Sequence, residues 1–220
     1  MDDVDKSMQK NDGPINSKDN QNFTKKNKPP ENSLLKESIN ILFSVLVAYI
    51  LFILIRTFLF FPFQVVGESM SPTLLSGDRL ILNRLATIDR FDVVVFPAPD
   101  QEDGKEKEEY VKRIIGVPGD EIVYQGDSLF INEIEVEENY LEPVKDLYPN
   151  RQTTPNFTLI DLPNSNSNVI PEGMYLVMGD NRPVSKDSRE FGLIPAEAIE
   201  GNARLRIWPL DRIGFLEENE

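Results

Sequence analysis

Residues 110–120 read Tyr-Val-Lys-Arg-Ile-Ile-Gly-Val-Pro-Gly-Asp, which is the composition of a β-strand that ends in a turn. Side chains alternate between the two faces of a strand, so Lys112 shares a face with Tyr110 and Ile114, and Arg113 points the other way. Burial of one basic residue among apolar neighbours would lower its pKa and make it a usable base near neutral pH. Alternatively, both cations lie on a solvated edge strand, where they prevent aggregation.

Similar short runs occur on both sides of this segment. They are rich in β-branched and aromatic residues and are bounded by turns; they cover residues 79–82, 91–96, 121–124, 129–131, 174–178 and 203–207. Gly-Asp pairs begin at residues 77, 119, 126 and 179, where glycine can adopt the backbone angles of tight turns. The pattern predicts a mostly β domain, with a charged hairpin tip at 100–109 and a long irregular excursion at 142–168.

A strongly apolar segment precedes the β region. Only Asn40, Ser44 and Tyr49 interrupt the apolar run between residues 39 and 55. A spanning helix needs about 20 mainly apolar residues, so the run predicts a transmembrane helix with Arg56 reaching to the interface. A buried core helix is one alternative. A cleavable signal peptide is another, but large residues rather than small ones follow the run.

The charges around this helix predict its orientation. Residues 1–37 are polar and predict a disordered tail. Four lysines lie close before the helix, and only Arg56 follows it closely, so the positive-inside rule places the N-terminus in the cytoplasm; the lysines are Lys25, Lys26, Lys28 and Lys36. The predicted organisation is a cytoplasmic tail at 1–37, a transmembrane helix and membrane-proximal segment at 38–62, and an extracytoplasmic domain at 63–220. That side of the membrane could be periplasmic, extracellular or lumenal.

Composition excludes several kinds of chemistry. The 37 acidic residues outnumber the 23 basic ones, and a net charge of -14 argues against a nucleic-acid partner. The chain has no Cys and no His. This excludes disulfides, thiolate nucleophiles, Ser-His-Asp triads, and zinc sites built on imidazole or thiolate. A hydrolase with this composition needs another base.

Two further segments carry residues that could take part in catalysis. Residues 66–74 read Val-Gly-Glu-Ser-Met-Ser-Pro-Thr-Leu and place Ser69 in a loop. A serine in such a loop is by itself a common turn residue. Residues 178–195 contain six charged residues, which is typical of a solvated turn. Their mixed signs also allow internal ion pairs, such as Asp187 with Arg189, that would hold a loop in one shape.

Together and in this order, the three segments resemble the conserved boxes of type I signal peptidases, serine proteases with a Ser-Lys dyad that remove leader peptides from exported proteins. The resemblance extends from the apolar helix to about Trp208. It implies a β-rich catalytic core of two antiparallel sheets, without a metal or organic cofactor. It also implies preprotein signal peptides and the lipid membrane as partners, and cleavage after small residues of the Ala-X-Ala type.

The resemblance implies a role for each matching residue. Ser69 would attack the scissile carbonyl, and Lys112 would take its proton and later return it to the leaving amine. Ser185 would orient the lysine nitrogen. Two ion pairs would brace the site, Asp187 with Arg189 and Asp180 with Arg113. The backbone at Ser69 and Gly67 would stabilise the oxyanion, and substrate would add as a strand along a cleft that includes Met70, Val65 and Val111.

Two departures from the family pattern are visible. Gly67 stands where one branch of the family has a hydroxyl residue, so backbone donors must stabilise the oxyanion, as in the Gram-positive-like branch. Pro183 and Val184 replace the usual acidic and amide residues before Ser185. A self-cleaving repressor-type Ser-Lys protease is the nearest alternative enzyme, but the chain lacks its DNA-binding domain. A non-catalytic membrane-anchored β domain would have a degenerate dyad, whereas both dyad residues are present.

Overall fold

The computed structural model describes residues 31–58, 60–99, 101 and 108–216. The chain divides into two compact units, Met1–Leu46 and Val47–Glu220. Helix α1 covers Glu31–Phe58. Within it, Leu34–Leu54 has 21 residues with a mean hydropathy of 2.2, which is long and apolar enough to cross a membrane.

Helix α1 begins seven residues before the predicted boundary at residue 38. Residues 31–37 contain Leu, Lys and Glu, which favour helix although they add little hydropathy. The start of the apolar run therefore does not mark the start of the helix. Residues 1–30 of the predicted tail lie outside the described residues.

The rest of the described chain forms mainly short strands. The strands are β1 (Phe60–Gln64), β2 (Arg79–Asn83), β3 (Val93–Pro97), β4 (Glu109–Gly116), β5 (Ile122–Gln125), β6 (Ser128–Ile131), β7 (Ile134–Val136), β8 (Phe157–Thr158), β9 (Met174–Met178), β10 (Ile194–Pro195), β11 (Gly201–Trp208) and β12 (Gly214–Phe215). The two short α-helices are α2 (Glu142–Leu147) and α3 (Ser188–Phe191).

These strands form two antiparallel sheets. The larger sheet has the order β1-β2-β11-β3-β4-β9-β10, with β12 paired to β11. The smaller has the order β7-β6-β5-β8. All pairings are antiparallel. The predicted fold class, a mostly β domain preceded by one apolar helix, is confirmed.

Strands β3 and β4 lie in the interior of the larger sheet. Val93 and Val95 of β3 belong to one buried apolar cluster, and Val94 and Phe96 belong to another. A strand covered on both faces has a continuous apolar sequence rather than an alternating one. The same position explains why Lys112 and Arg113 are both buried, whereas alternation predicted burial of only one of them.

Two other expectations need correction, and a third is untested. Strand β1 crosses the predicted domain boundary at residue 63, because its sequence Phe-Phe-Pro-Phe-Gln continues the hydrophobic run. The excursion at 142–168 is not wholly irregular, since it contains α2 and β8, both too short for a periodic signal. The hairpin tip at 100–109 lies largely outside the described residues, although Pro97 pairs with Glu109 at its base.

Three of the four Gly-Asp turns have the backbone geometry expected from the sequence. Gly77, Gly119 and Gly126 have φ angles of 98°, 90° and 66°, which favour glycine. Gly179 is different. A Cβ there would lie 2.2 Å from Ser185 Oγ and 2.4 Å from the Ser69 carbonyl oxygen, so this position requires glycine for close packing beside the candidate nucleophile.

Candidate active site

The structure brings Ser69 and Lys112 into direct contact. Ser69 lies in the turn between β1 and β2, and Lys112 lies in β4. The Lys112 Nζ is 2.8 Å from Ser69 Oγ and 3.1 Å from the Val111 carbonyl oxygen. A nitrogen at this distance can accept the hydroxyl proton when the amine is neutral.

The surroundings of Lys112 favour that neutral form. Its side chain is 3% exposed, and its Nζ lies 5.0 Å from the centre of the Tyr110 ring. Burial lowers the pKa of Lys112 from 10.5 to about 8, and the carboxylates of Asp187 and Asp180 oppose this by attracting the ammonium. Desolvation therefore outweighs charge attraction, and about a tenth of the amine is unprotonated at pH 7, far more than for an exposed lysine.

Both predicted ion pairs are present. Arg113 donates to Asp180 through Nε at 2.9 Å and Nη2 at 2.7 Å, with both side chains 1% exposed. Arg189 binds the two oxygens of Asp187 at 2.8 Å each. Asp187 also accepts a 3.1 Å bond from the Gly179 N–H. These paired geometries fix the loop after β9 beside Ser69 and Lys112.

The expected bond from Ser185 to Lys112 is not formed. The Ser185 hydroxyl is buried but has no hydrogen-bond partner among the described residues. It lies beside Gly179, close to the Ser69 carbonyl. Ser185 therefore lies in the site with an unused donor and acceptor.

The backbone around Ser69 offers a hydrogen-bond donor that no described residue uses. The turn begins with Gly67, whose φ of 91° is in the left-handed region. Among the described residues, no group accepts a hydrogen bond from the Ser69 N–H. The Ser69 carbonyl, in contrast, accepts a 3.0 Å bond from the Asn181 N–H.

A groove runs beside Ser69 and Lys112. One cavity of about 420 Å³ is lined by Val66, Gly67, Glu68, Ser69, Glu109, Tyr110, Val111, Lys112, Val184 and Lys186. A second, of about 440 Å³, shares Val66 and residues 109–111 and reaches Phe63 and Gln64. On that side β4 pairs with β9 only from Arg113 onward. An extended peptide could therefore lie between Val66 and Val111.

The predicted cleft residues divide into two groups. Val111 lines the groove. Val65 and Met70 are 2% and 1% exposed, belong to the apolar core, and are not among the lining residues. Val65 faces the core, whereas its neighbour Val66, 81% exposed, faces outward.

Sequence reasoning missed a buried polar network behind this loop. Arg182 pairs with Glu138, and both side chains are almost fully buried. Arg182 also donates to Tyr124 at 3.0 Å, to Thr154 at 3.2 Å and to Tyr140 at 3.2 Å. Its Nε donates to the Gly179 carbonyl at 3.1 Å. Burial raises the pKa of both tyrosines well above 10, so their hydroxyls stay protonated.

Asn181 was also missed. Its backbone and side chain both contact the turn that carries Ser69. Only its place in the charged third segment could have drawn attention to it. Within the parts of the chain that the structure describes, no group of three or more Asp or Glu residues is arranged to hold a metal ion.

The chain is similar to known proteins over most of its length. A family model described as "Signal peptidase, peptidase S26" matches residues 38–208. Signal peptidase IB of Staphylococcus aureus (strain N315) is 42% identical over 192 residues, which cover 84% of this chain and 97% of that protein. Signal peptidase I of Bacillus caldolyticus is 41% identical over 165 residues, 73% of this chain and 86% of that one. A crystal structure of a signal peptidase I from Enterococcus faecalis V583 covers 53% of this chain and 97% of its own, with 40% identity and a TM-score of 0.49.

Proposed function

This chain belongs to the signal peptidase family, peptidase S26, whose members are serine peptidases, and we propose that it removes signal peptides with a Ser69–Lys112 dyad. Signal-peptide removal is the activity of the family. We propose three further points: which residues perform it in this chain, a preference for small residues before the cut, and the orientation in the membrane.

One observation carries the proposal: the 2.8 Å contact between Lys112 Nζ and Ser69 Oγ, with the lysine buried. Neutral Lys112 takes the proton as Ser69 Oγ attacks the scissile carbonyl, and the carbonyl electron pair moves onto oxygen. The free Ser69 N–H stabilises that oxyanion. The C–N bond then breaks as Lys112 returns the proton to the leaving amine, and water hydrolyses the acyl-enzyme by the same base.

Substrate specificity follows from the groove. The signal peptide would add as a strand between Val66 and Val111, with main-chain hydrogen bonds to their open edges. The branched side chains of Val66, Val111 and Val184 line this groove beside Ser69, and we propose that they contact small side chains at the first and third positions before the cut. This supports the Ala-X-Ala preference.

Incubation of the purified full-length chain in detergent with a preprotein tests the function. A single product, shortened at an Ala-X-Ala site, is expected. Ser69→Ala should give none, because the nucleophile is absent. Cleavage by Ser69→Ala, or no cleavage by the wild-type chain, would reject the proposal.

Ser185 should assist the dyad rather than belong to it. When Lys112 becomes an ammonium it has three donors, two of which already have Ser69 Oγ and the Val111 carbonyl as partners. The unpaired Ser185 hydroxyl is the candidate for the third. Ser185→Ala should therefore lower kcat by about tenfold to a hundredfold with little change in KM, and stay well above Ser69→Ala. Steady-state kinetics with an unchanged kcat would remove Ser185 from the mechanism.

The membrane arrangement is proposed from sequence and hydropathy. Helix α1 would anchor the chain, with residues 1–37 in the cytoplasm and the catalytic domain, 63–220, outside. Protease added to intact cells should then digest the catalytic domain and spare an N-terminal tag. An N-terminal tag that is digested while the domain is protected would reverse the orientation.

A further inference from the structure

Asn181 makes two hydrogen bonds to consecutive carbonyl groups of the nucleophile turn. Its side-chain Nδ2 donates to the Glu68 carbonyl at 3.1 Å, and its backbone N–H donates to the Ser69 carbonyl at 3.0 Å. The Glu68 carbonyl also accepts a 3.1 Å bond from the Ser71 N–H. The peptide groups on both sides of the Ser69 Cα are therefore held.

The first of these peptide groups contains the candidate oxyanion donor. The Glu68 carbonyl and the Ser69 N–H belong to one planar unit, in which a trans peptide points C=O and N–H in opposite directions. A bond that fixes the oxygen thus fixes the hydrogen. With its oxygen turned toward Asn181, the unit directs the Ser69 N–H away from Asn181, and no described residue accepts from that N–H.

Among the described residues, the Asn181 side chain makes no hydrogen bond other than the one to the Glu68 carbonyl. Its Oδ1 is buried and has no partner among the described residues. Burying an unpaired carbonyl oxygen is unfavourable. The amide orientation itself is unambiguous, because the Glu68 carbonyl can only accept, so Nδ2 must face it.

We infer that Asn181 is a positioning residue for the reaction, which sets the oxyanion donor by holding the Glu68–Ser69 peptide plane. This rests on the proposed function, because it assigns the Ser69 N–H to the oxyanion. Asn181 touches no reacting atom. Its effect is to orient the donor before substrate arrives, so that no reorganisation is needed as charge develops.

The test compares Asn181→Ala and Asn181→Asp with the wild-type full-length chain in detergent. Alanine removes the side-chain donor but keeps the backbone bond to Ser69. Aspartate keeps the shape but replaces the donor with an acceptor. Both variants should lower kcat by about tenfold to a hundredfold with KM nearly unchanged. Loss of a whole oxyanion donor costs more, ~10²–10³ in kcat. The smaller effect is expected because the Ser71 N–H still holds the Glu68 carbonyl.

A peptide aldehyde that ends at the residue before the cut supplies a readout that a purely structural role would not change. Ser69 Oγ adds to its carbonyl, the proton passes to Lys112, and the carbonyl oxygen becomes the oxyanion. In the Asn181 variants, the inhibition constant of the aldehyde should rise by the same factor by which kcat/KM falls. The dissociation constant of the matching peptide alcohol, which forms no oxyanion, should not change. The pH below which kcat/KM falls should not change, because the pKa of Lys112 sets it.

Gln152→Ala is the matched control, since the Gln152 amide also donates to a backbone carbonyl, that of Thr154. It should leave kcat and aldehyde inhibition at wild-type values. Unchanged kcat in both Asn181 variants, or a reduced kcat with aldehyde inhibition intact, would overturn the inference. A wild-type chain that cleaves no preprotein would instead reject the proposed function.

Discussion

Replacement of Lys112 by Met should abolish preprotein cleavage and leave the domain at least as stable near neutral pH. Methionine has a similar length and remains in the apolar surroundings of Lys112, but it cannot take the proton from Ser69. Loss of one member of a catalytic nucleophile–base unit costs on the order of 10⁴ to 10⁶ in kcat. Release of shortened preprotein under single-turnover conditions measures the loss.

The wild-type pH profile should report the same lysine. Burial lowers the pKa of Lys112 to about 8. Only the neutral amine accepts the Ser69 proton, so kcat/KM should rise tenfold per pH unit below this value and level off above it. A plateau that extends well below pH 7 would show that another group is the base.

The stability of the Met variant follows from proton linkage. Lys112 has a pKa of 10.5 when unfolded and about 8 when folded, so between these values the unfolded chain binds more protons. The free energy of unfolding therefore rises with pH through this interval. The cost of burying Lys112, about 3 kcal/mol, is fully present below pH 8 and is gone above 10.5.

Lys112→Met removes this cost, so its gain in stability should be largest below pH 8 and should shrink above it. The two lost hydrogen bonds, to Ser69 and Val111, offset part of the gain at about 1 kcal/mol each. Lys112→Arg should be inactive, because a guanidinium keeps its proton. Lys145→Met, at an exposed site, is the control and should cleave normally. Normal cleavage by Lys112→Met would refute the Ser-Lys mechanism.

The sequence predicted the parts of the site that lie in local patterns. Strand β4 is an apolar run closed by a Gly-Asp turn, and Lys112 and Arg113 stand out in it. The ion pair of Asp187 with Arg189 joins residues two apart, so one segment contains both partners. Alternation failed for β4 because neighbouring elements cover both of its faces, which one strand's pattern cannot reveal.

The parts that sequence reasoning missed depend on long-range contacts. Glu138 and Arg182 are 44 residues apart and meet only because the smaller sheet packs behind the loop after β9. Counted within its own segment, Arg182 is one of six charges typical of a solvated turn. Asn181 is likewise unremarkable until the fold places it against Glu68, which is 113 residues away.

Replacement of Glu138 by Ala should cause the largest loss of stability of any single change in the polar network. The Glu138 carboxylate accepts bonds from Arg182, from the Tyr124 hydroxyl at 2.9 Å and from the Tyr140 hydroxyl. Its removal leaves the Arg182 guanidinium buried without a counter-ion. Breaking such a pair costs about 3 to 5 kcal/mol, a large share of the ~5–15 kcal/mol that stabilises a typical domain.

The double variant Glu138→Ala with Arg182→Met distinguishes the loss of the ion pair from the cost of leaving the Arg182 guanidinium buried without a partner. An apolar side chain in place of the guanidinium removes the uncompensated charge, so the double variant should be more stable than Glu138→Ala alone. Urea unfolding of the two variants and the wild-type chain measures the difference. Equal stability of the single and double variants would mean that the buried charge is not the source of the loss.

Glu200 provides the matched control, because its ion pair with Arg84 is exposed. That pair is 3.5 Å long, with side chains 30% and 39% exposed, so water screens it. Glu200→Ala should cost no more than about 1 kcal/mol. Because Arg182 also holds the Gly179 carbonyl, Glu138→Ala should lower cleavage as well as stability, whereas Glu200→Ala should lower neither. If the two variants are equally stable, the network does not brace the loop beside Ser69, and the loop's shape must come from the two ion pairs of Asp180 and Asp187 alone.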